Sequence, residues 1–486
     1  MSEIIWASAH ETADRIARGE LTAREVTAAH LEQTRALEPT LRSFITVDED
    51  VALRSAERAD ERVAAGEPLG PLHGVPIGIK DNLWTADLPT TGGSRVYADF
   101  VPPSDGLPVA RLRAAGAVIF GKTHMPEFAA WPRTVAHVQG DNCNPWDPTR
   151  ITGASSGGSG SAVAAAQVPV ALGTDGGGST RLPAALNGVV GVQPSRGVVP
   201  AWGQVGYGAF GAVGPMTRSV RDAARILTVI SGPDERDPSS AGVARQDYEA
   251  GLDDGVEGVR LVWLDGMGEV EPDRAVGEVV RDAVDDLEDA GCRVVERHDS
   301  FAGLEEHFVP LNLGNHRYGG GRPGAMQEPE VRAAFASEQR DELLTPYIVA
   351  SMAGSPRITP EQWERSTTWV EDCRRRLDAL FEDHGFVVCP TAPYVAPPVP
   401  ADPWSMPFET MGAYIANTGL VNLLRLTAVS VPAGFVDGLP VGLQIIGPQG
   451  SEAGALRVAR ALELARPWEH VRPRLATTAL SASGAR

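Results

Sequence analysis

Residues 153–161 read Gly153-Ala154-Ser155-Ser156-Gly157-Gly158-Ser159-Gly160-Ser161, and residues 173–181 read Gly173-Thr174-Asp175-Gly176-Gly177-Gly178-Ser179-Thr180-Arg181. Between them lie a small-residue helical stretch, Ser161 to Gln167, and an apolar run, Val168 to Leu172. A glycine run ending in serine leaves successive backbone N–H groups unobstructed. Glycine also tolerates the conformations that let those amides converge on one point. Converging amides beside a hydroxyl are what acyl transfer needs: an oxyanion site next to a nucleophile. The ordered strand and helix patterns on both sides argue against a flexible Gly/Ser linker.

The same texture extends outward. Short apolar runs at Val75 to Ile79, Ala117 to Phe120, Val168 to Leu172 and Val189 to Val192 alternate with Gly/Pro punctuation. Helical patterns such as Val109 to Ala115 lie between them, and Val259 to Leu264, Ala275 to Ala290 and Arg293 to Val295 form a further strand–helix–strand unit. Late strands are expected at Phe386 to Val388, Ala428 to Val431 and Val441 to Ile446, with a closing helix from Ser451 to Leu464. Strands interleaved with helices predict an α/β layered sheet. Upstream, three helices are expected: Ala7 to Arg18, a second capped by Thr22 with Glu25 and stopped by Pro39, and Asp48 to Ala65. Residues 300–380 read as irregular to helical. We divide the chain into N-terminal helices over 1–68, one large domain over 69–475 and a loose tail over 476–486.

Composition narrows the function classes. With 486 residues and 43% apolar content, the chain can bury a large core, which excludes a disordered or disulfide-stapled protein. The net charge of −20 argues against nucleic acid and against anionic membranes. No apolar run is long enough to span a bilayer and no signal peptide is read, so a cytoplasmic location is expected. The four cysteines have no CxxC spacing, and no metal-ligand motif such as HExxH occurs, so neither cofactor nor metal is expected.

Only two of the 43 basic residues are lysine, Lys80 and Lys122. Arginine fills ordinary ion-pair roles, but its guanidinium cannot lose a proton. A role that needs a neutral amine falls to one of these two. Lys80 ends the apolar run in Leu72-His73-Gly74-Val75-Pro76-Ile77-Gly78-Ile79-Lys80-Asp81-Asn82. A lysine at the end of a buried strand loses hydration, which lowers its pKa and lets the amine accept a proton.

Two other motifs compete. Gly116 to Thr123 fits G-x-x-x-x-G-K-[ST], but its middle residues Ala117-Val118-Ile119-Phe120 are strand-like, and a helix rather than a strand precedes it. A nucleotide loop needs those amides free; here they belong to a sheet ladder, and Lys122 reads as a strand-end residue in a structural ion pair. Gly153 to Gly157 fits G-x-S-x-G, but a Pro-interrupted turn precedes it where a nucleophile elbow needs a strand.

Taken together, Leu72 to Asn82, Gly116 to Phe128, Asn144 to Ser161, Leu172 to Pro194 and Gly438 to Pro448 resemble the amidase signature family. The resemblance implies a single α/β domain, a large mixed β-sheet sandwiched between α-helices. It also implies a Ser–cisSer–Lys set: Ser179 as nucleophile, Ser155 after a cis peptide bond and Lys80 as base. The family's oxyanion-hole amides fall at Gly176, Gly177, Gly178 and Ser179. Ser156 and Ser159 are expected to hold the relay, and Asp175 and Arg181 to pair and shape the glycine run. Three residues depart from the family's pattern: Ala154 before the middle serine, His124 after Gly-Lys-Thr, and Thr180 after the nucleophile. They bear on substrate preference rather than on the triad.

The expected reaction is hydrolysis of a small carboxylic amide through an acyl-enzyme. Acylhydrazides, carbamates or esters are alternatives for the same triad. An amidotransferase A-type subunit is a further alternative, disfavoured by the acidic charge and by the absence of that subunit's Ser-Ser-Asn-Leu-Ala-Arg-Tyr-Asp-Gly stretch. The expected partner is a small-molecule amide-type substrate, with no nucleic acid and no membrane; a homodimer is left open. Trp131, His316 and Tyr318, with His307, are candidates for the substrate pocket.

Overall fold

The computed structural model describes residues 2–206, 210–318, 324–354 and 356–477, with the side chains of 316 and 317 excepted. Its first three strands are β1 (Phe44–Thr46), β2 (Pro76–Lys80) and β3 (Val118–Thr123). A small hairpin of β4 (Val135–Ala136) and β5 (Gly140–Asp141) stands apart from the main sheet. Then come β6 (Val170–Asp175), β7 (Val190–Gln193), β8 (Ala212–Thr217), β9 (Arg260–Trp263) and β10 (Arg293–Glu296). The last three are β11 (Phe386–Pro390), β12 (Thr427–Val436) and β13 (Leu439–Gly447).

Eleven of these strands form one mixed sheet, ordered β1-β3-β2-β6-β8-β7-β12-β13-β11-β9-β10. β2 runs parallel to both β3 and β6, while β8, β7, β12 and β13 pair antiparallel. Side chains alternate across the strands with period two. Leu261, Val388, Val429 and Ile445 enter one core with the helices Val220–Ile230, Arg274–Asp289 and Glu452–Ala465. Their neighbours Val262, Val387, Ala428 and Ile446 enter a second core with the helices Arg181–Asn187 and Pro360–His384. The sheet is thus covered on both faces, which explains why its strands read as continuous apolar runs.

The N-terminal helices follow their caps. Thr22 accepts from Glu25 N–H while the Glu25 carboxylate accepts from Thr22 N–H, and Asp48 caps the Glu49–Ala64 helix. Pro39 does not stop its helix, contrary to expectation. The helix runs Ala23–Leu41 with Pro39 in its last turn and ends at Arg42, which is left-handed at φ 51°. Near a C-terminus few further turns depend on the missing N–H, so the cost of proline is small.

Three further elements differ from the sequence reading. The helix expected from Ser161 begins four residues earlier, at Gly157, because its glycines are fully buried against neighbouring backbone and side chains rather than free in a loop. β1 pairs antiparallel with β3 from within the helical N-terminal region. β8 carries no continuous apolar run in the sequence, because Gly214 and Pro215 interrupt it. The structure accommodates that proline because pairing with β7 stops at Met216, so Pro215 has no β7 partner there.

Candidate active site

β2 lies between β3 and β6, and Lys80 ends it with its side chain fully buried. Lys80 Nζ lies 2.7 Å from Ser155 Oγ and donates to Thr174 O at 3.1 Å. Burial pushes this amine well below the ordinary lysine range, and the Asp175 carboxylate only partly opposes the shift. A neutral amine keeps a lone pair for a hydroxyl proton while an N–H engages Thr174 O.

The Ala154–Ser155 peptide bond is cis. Ser155 is buried, whereas Ser179 is half-buried and faces the same cavity. The backbone ties the two serine loops together: Ser156 N–H donates to Ser179 O at 3.1 Å. Ser156 Oγ sits 3.3 Å from both Thr174 N and Thr174 O, and Ser159 Oγ donates to Leu172 O at 3.0 Å. The structure therefore brings Lys80, Ser155, Ser156 and Ser179 to one place. No hydrogen bond joins the Ser155 and Ser179 hydroxyls among the described residues.

Asp175 organises the glycine run. Its carboxylate accepts from the N–H groups of Gly178 (2.6 Å), Thr180 (3.1 Å) and Arg181 (3.3 Å). Arg181 adds two guanidinium bonds at 3.0 Å each, and Asn422 Nδ2 another at 3.0 Å. Burial alone would raise this carboxyl, but the Arg181 guanidinium and these donors hold it at about 2. One sequence expectation changes here. The Gly178 amide is engaged by Asp175 and is not a free oxyanion donor, because the acidic side chain three residues upstream folds back onto it. The amides of Gly176, Gly177 and Ser179 take no such partner among the described residues.

A cavity of about 550 Å³ opens over Ser179. Its walls include Phe128, Trp131, Phe308, Met326, Met411 and Ile415. Trp131 stacks on Tyr347 at 4.7 Å with an interplanar angle of 9°. Tyr318 is not on the wall: its hydroxyl donates to Ile358 O at 3.0 Å and its ring lies against Trp363. His307 turns to Ser366 and Trp369, also away from the cavity. The side chain of His316 lies outside the described residues. Phe308, Met411 and Ile415 carry no motif, and only the fold brings them here.

Lys122 sits on β3, fully buried. Its amine donates to Leu83 O at 2.7 Å and Thr90 Oγ1 at 2.6 Å, with the Asp81 carboxylate at 3.8 Å. Burial brings it down to about 8 despite Asp81. Residues 118–123 form a strand whose Val118 N–H bonds to Val75 O, so Gly116–Thr123 does not offer a phosphate loop.

The sequence profile of the family described as Amidase matches residues 25–456. The chain belongs to the amidase signature family. A relative from Chloroflexus aurantiacus, named as the A subunit of glutamyl-tRNA(Gln) amidotransferase, is 38% identical over 95% of this chain and 96% of its own length. A bacterial aryl acylamidase of the amidase signature family has a similar structure, with TM-score 0.87 and 25% identity over 98% of this chain and 99% of its own. The structure of the A subunit of glutamyl-tRNA(Gln) amidotransferase from Thermotoga maritima matches with TM-score 0.74 and 28% identity over 96% of this chain and 94% of its own.

These likenesses overturn one expectation. A chain whose sole partner is a small molecule, with nucleic acid excluded, does not fit relatives named as part of a glutamyl-tRNA(Gln) amidotransferase. The exclusion rested on a net charge of −20, which is a whole-chain sum. It reports neither a local basic patch nor what another member of an assembly would carry. Among the described residues, no helix is long and apolar enough to cross a membrane.

Proposed function

We propose that this chain opens the C–N bond of a carboxylic amide through an acyl-enzyme on Ser179. The neutral amine of Lys80 draws a proton through the Ser155 hydroxyl as Ser179 Oγ attacks the carbonyl carbon. The oxyanion settles on the amides of Gly176, Gly177 and Ser179. The proton returns to the leaving nitrogen, and an incoming nucleophile then releases the acyl group. The observation that carries this reading is the fully buried amine of Lys80, 2.7 Å from the hydroxyl of Ser155, which lines the same cavity as Ser179.

The freed nitrogen has two fates. Sequence likeness better supports its transfer within an assembly, with this chain as the amide-cleaving member of a tRNA-dependent amidotransferase. Simple hydrolysis is the second reading, favoured by the higher structural likeness to an aryl acylamidase and by the aromatic and thioether side chains around the cavity. A panel of glutamine, aliphatic amides and anilides, run on the isolated chain and on Ser179→Ala, tests both. Turnover of anilides by the chain alone supports hydrolysis. Glutamine turnover that requires partner subunits and glutamyl-tRNA supports transfer. Wild-type rates in Ser179→Ala would end the acyl-enzyme reading.

A further inference from the structure

Three residues spaced four apart, Tyr414, Thr418 and Asn422, meet the two serine loops from one segment, and Tyr414 also lines the cavity over Ser179. Tyr414 is buried, and its hydroxyl accepts from Ala154 N–H at 2.6 Å and donates to Ala154 O at 2.5 Å. It thereby holds both polar backbone groups of the residue preceding Ser155. The Thr418 hydroxyl donates to Gly177 O at 2.7 Å, with a weaker contact to Ile415 O at 3.3 Å. It also stands against Gly178, where φ is +122° and an added Cβ would lie 2.2 Å from Thr418 Oγ1. Asn422 Nδ2 donates to both Asp175 O and Asp175 Oδ1 at 3.0 Å each, and its Oδ1 accepts from Arg181 at 2.6 Å.

The three side chains thus grip three points of the site in turn: the 153–155 loop, the glycine run and the carboxylate that shapes it. Arg181 of the second loop reaches back to Thr418 O at 3.2 Å, and the segment is also held from outside both loops. Tyr394 OH donates to Tyr414 O at 2.6 Å, and Asn417 in the same segment donates to Pro390 O at 2.8 Å. Within residues 153–181, the described hydrogen bonds that join the two loops directly are those of Ser156, to Ser179 O and to Thr174.

We infer that Tyr414, Thr418 and Asn422 form a positioning ladder that registers the Ser155 loop against the Ser179 loop. The inference rests on the acyl-enzyme reading. None of the three is proposed to exchange a proton with substrate. Tyr414 and Thr418 act through the backbone they hold and Asn422 through Asp175, and misplacement of reacting groups by about 1 Å costs on the order of a hundredfold in rate.

The test uses a fluorophosphonate probe on the full chain. Ser179 Oγ forms a bond to phosphorus, fluoride leaves, and the hydroxyl proton passes to the base. Labelling at several probe concentrations separates the limiting rate from the half-saturating concentration. Tyr414→Phe removes a hydroxyl, and Thr418→Val replaces one with a methyl of similar size. Each is expected to lower the limiting rate about tenfold or more while half-saturation stays within about threefold. Thr418→Ser keeps the donor and is expected to label like wild type, which a methyl-packing role would not predict. Labelling of Ser179→Ala at the wild-type rate would defeat the acyl-enzyme reading itself. If Ser179→Ala is inert but Tyr414→Phe and Thr418→Val label at the wild-type rate, the ladder alone is overturned. Loss of the native circular dichroism spectrum in those two variants would likewise overturn it, since the residues would then support the fold rather than the loop register.

Discussion

Replacing Lys80 with methionine separates the amine's chemistry from its packing. The side chain is fully buried and touches Ser155 and Thr174 O. Methionine fills nearly the same volume but gives up two hydrogen bonds, at a net cost of about 1 kcal/mol each. Against that, keeping the buried amine neutral carries a penalty at any pH where the unfolded lysine would be protonated. Its folded pKa is depressed, so between that value and the unfolded lysine value of about 10.4 the unfolded chain holds one more proton than the folded one. Wild-type stability therefore rises with pH across this window, by about 1.4 kcal/mol per pH unit at most. Lys80→Met removes this contribution, so the stability difference between the two proteins widens in the wild type's favour as pH increases. Urea unfolding of both at several pH values between neutral and mildly alkaline measures it. In the same samples, loss of a general base is expected to lower turnover about a hundredfold to ten-thousandfold. Wild-type activity should fall on the acid side as Lys80 is protonated. A stability difference that does not change with pH, or a Lys80→Met enzyme with near-normal turnover, would refute the neutral-amine argument.

Other substitutions probe the surrounding groups. Arg181→Met leaves the buried Asp175 carboxylate without its cation and is expected to cost about 3–5 kcal/mol in urea unfolding. The pH trend should also invert: Asp175, held at about 2 in the wild type, would titrate upward and the variant would gain stability as pH falls. Lys122→Met strands Asp81 and is expected to destabilise by about 3 kcal/mol, yet to leave the acid limb of activity in place, because Lys122 does not reach either serine. A missing acid limb in Lys122→Met would move the base assignment away from Lys80.

Much of this architecture was legible from local pattern. The apolar runs that became β2, β3, β6, β7, β9, β11, β12 and β13 announced themselves because a sheet covered on both faces demands apolar side chains on both sides of each strand. The capping boxes at Thr22 and Ser8 are short-range hydrogen-bond devices that need no tertiary context, although only the first was read. β8 was hidden by Pro215, whose cost vanishes only once the limits of its pairing with β7 are known. At the site, the glycine–serine loops and the scarcity of lysine pointed to Lys80, Ser155 and Ser179. Burial of the amine is a property of the assembled sheet and could only be expected. The cavity wall was mostly unreadable. Trp131 lies near a motif, but Phe308, Met411 and Ile415 arrive from more than 120 residues away along the chain. The engagement of Gly178 by Asp175 was missed because a string of glycines does not say which amides a nearby carboxylate will claim.

Both lysines of this chain are sealed inside it while its surface cations are arginines. Reagents that acylate ε-amines would therefore find no target on the native fold, leaving an α-amine as their sole site of attack. Cross-linking or bead coupling through lysine will fail on the intact protein. Conversely, the appearance of modified Lys80 or Lys122 in a mass spectrum becomes a direct count of molecules that have opened.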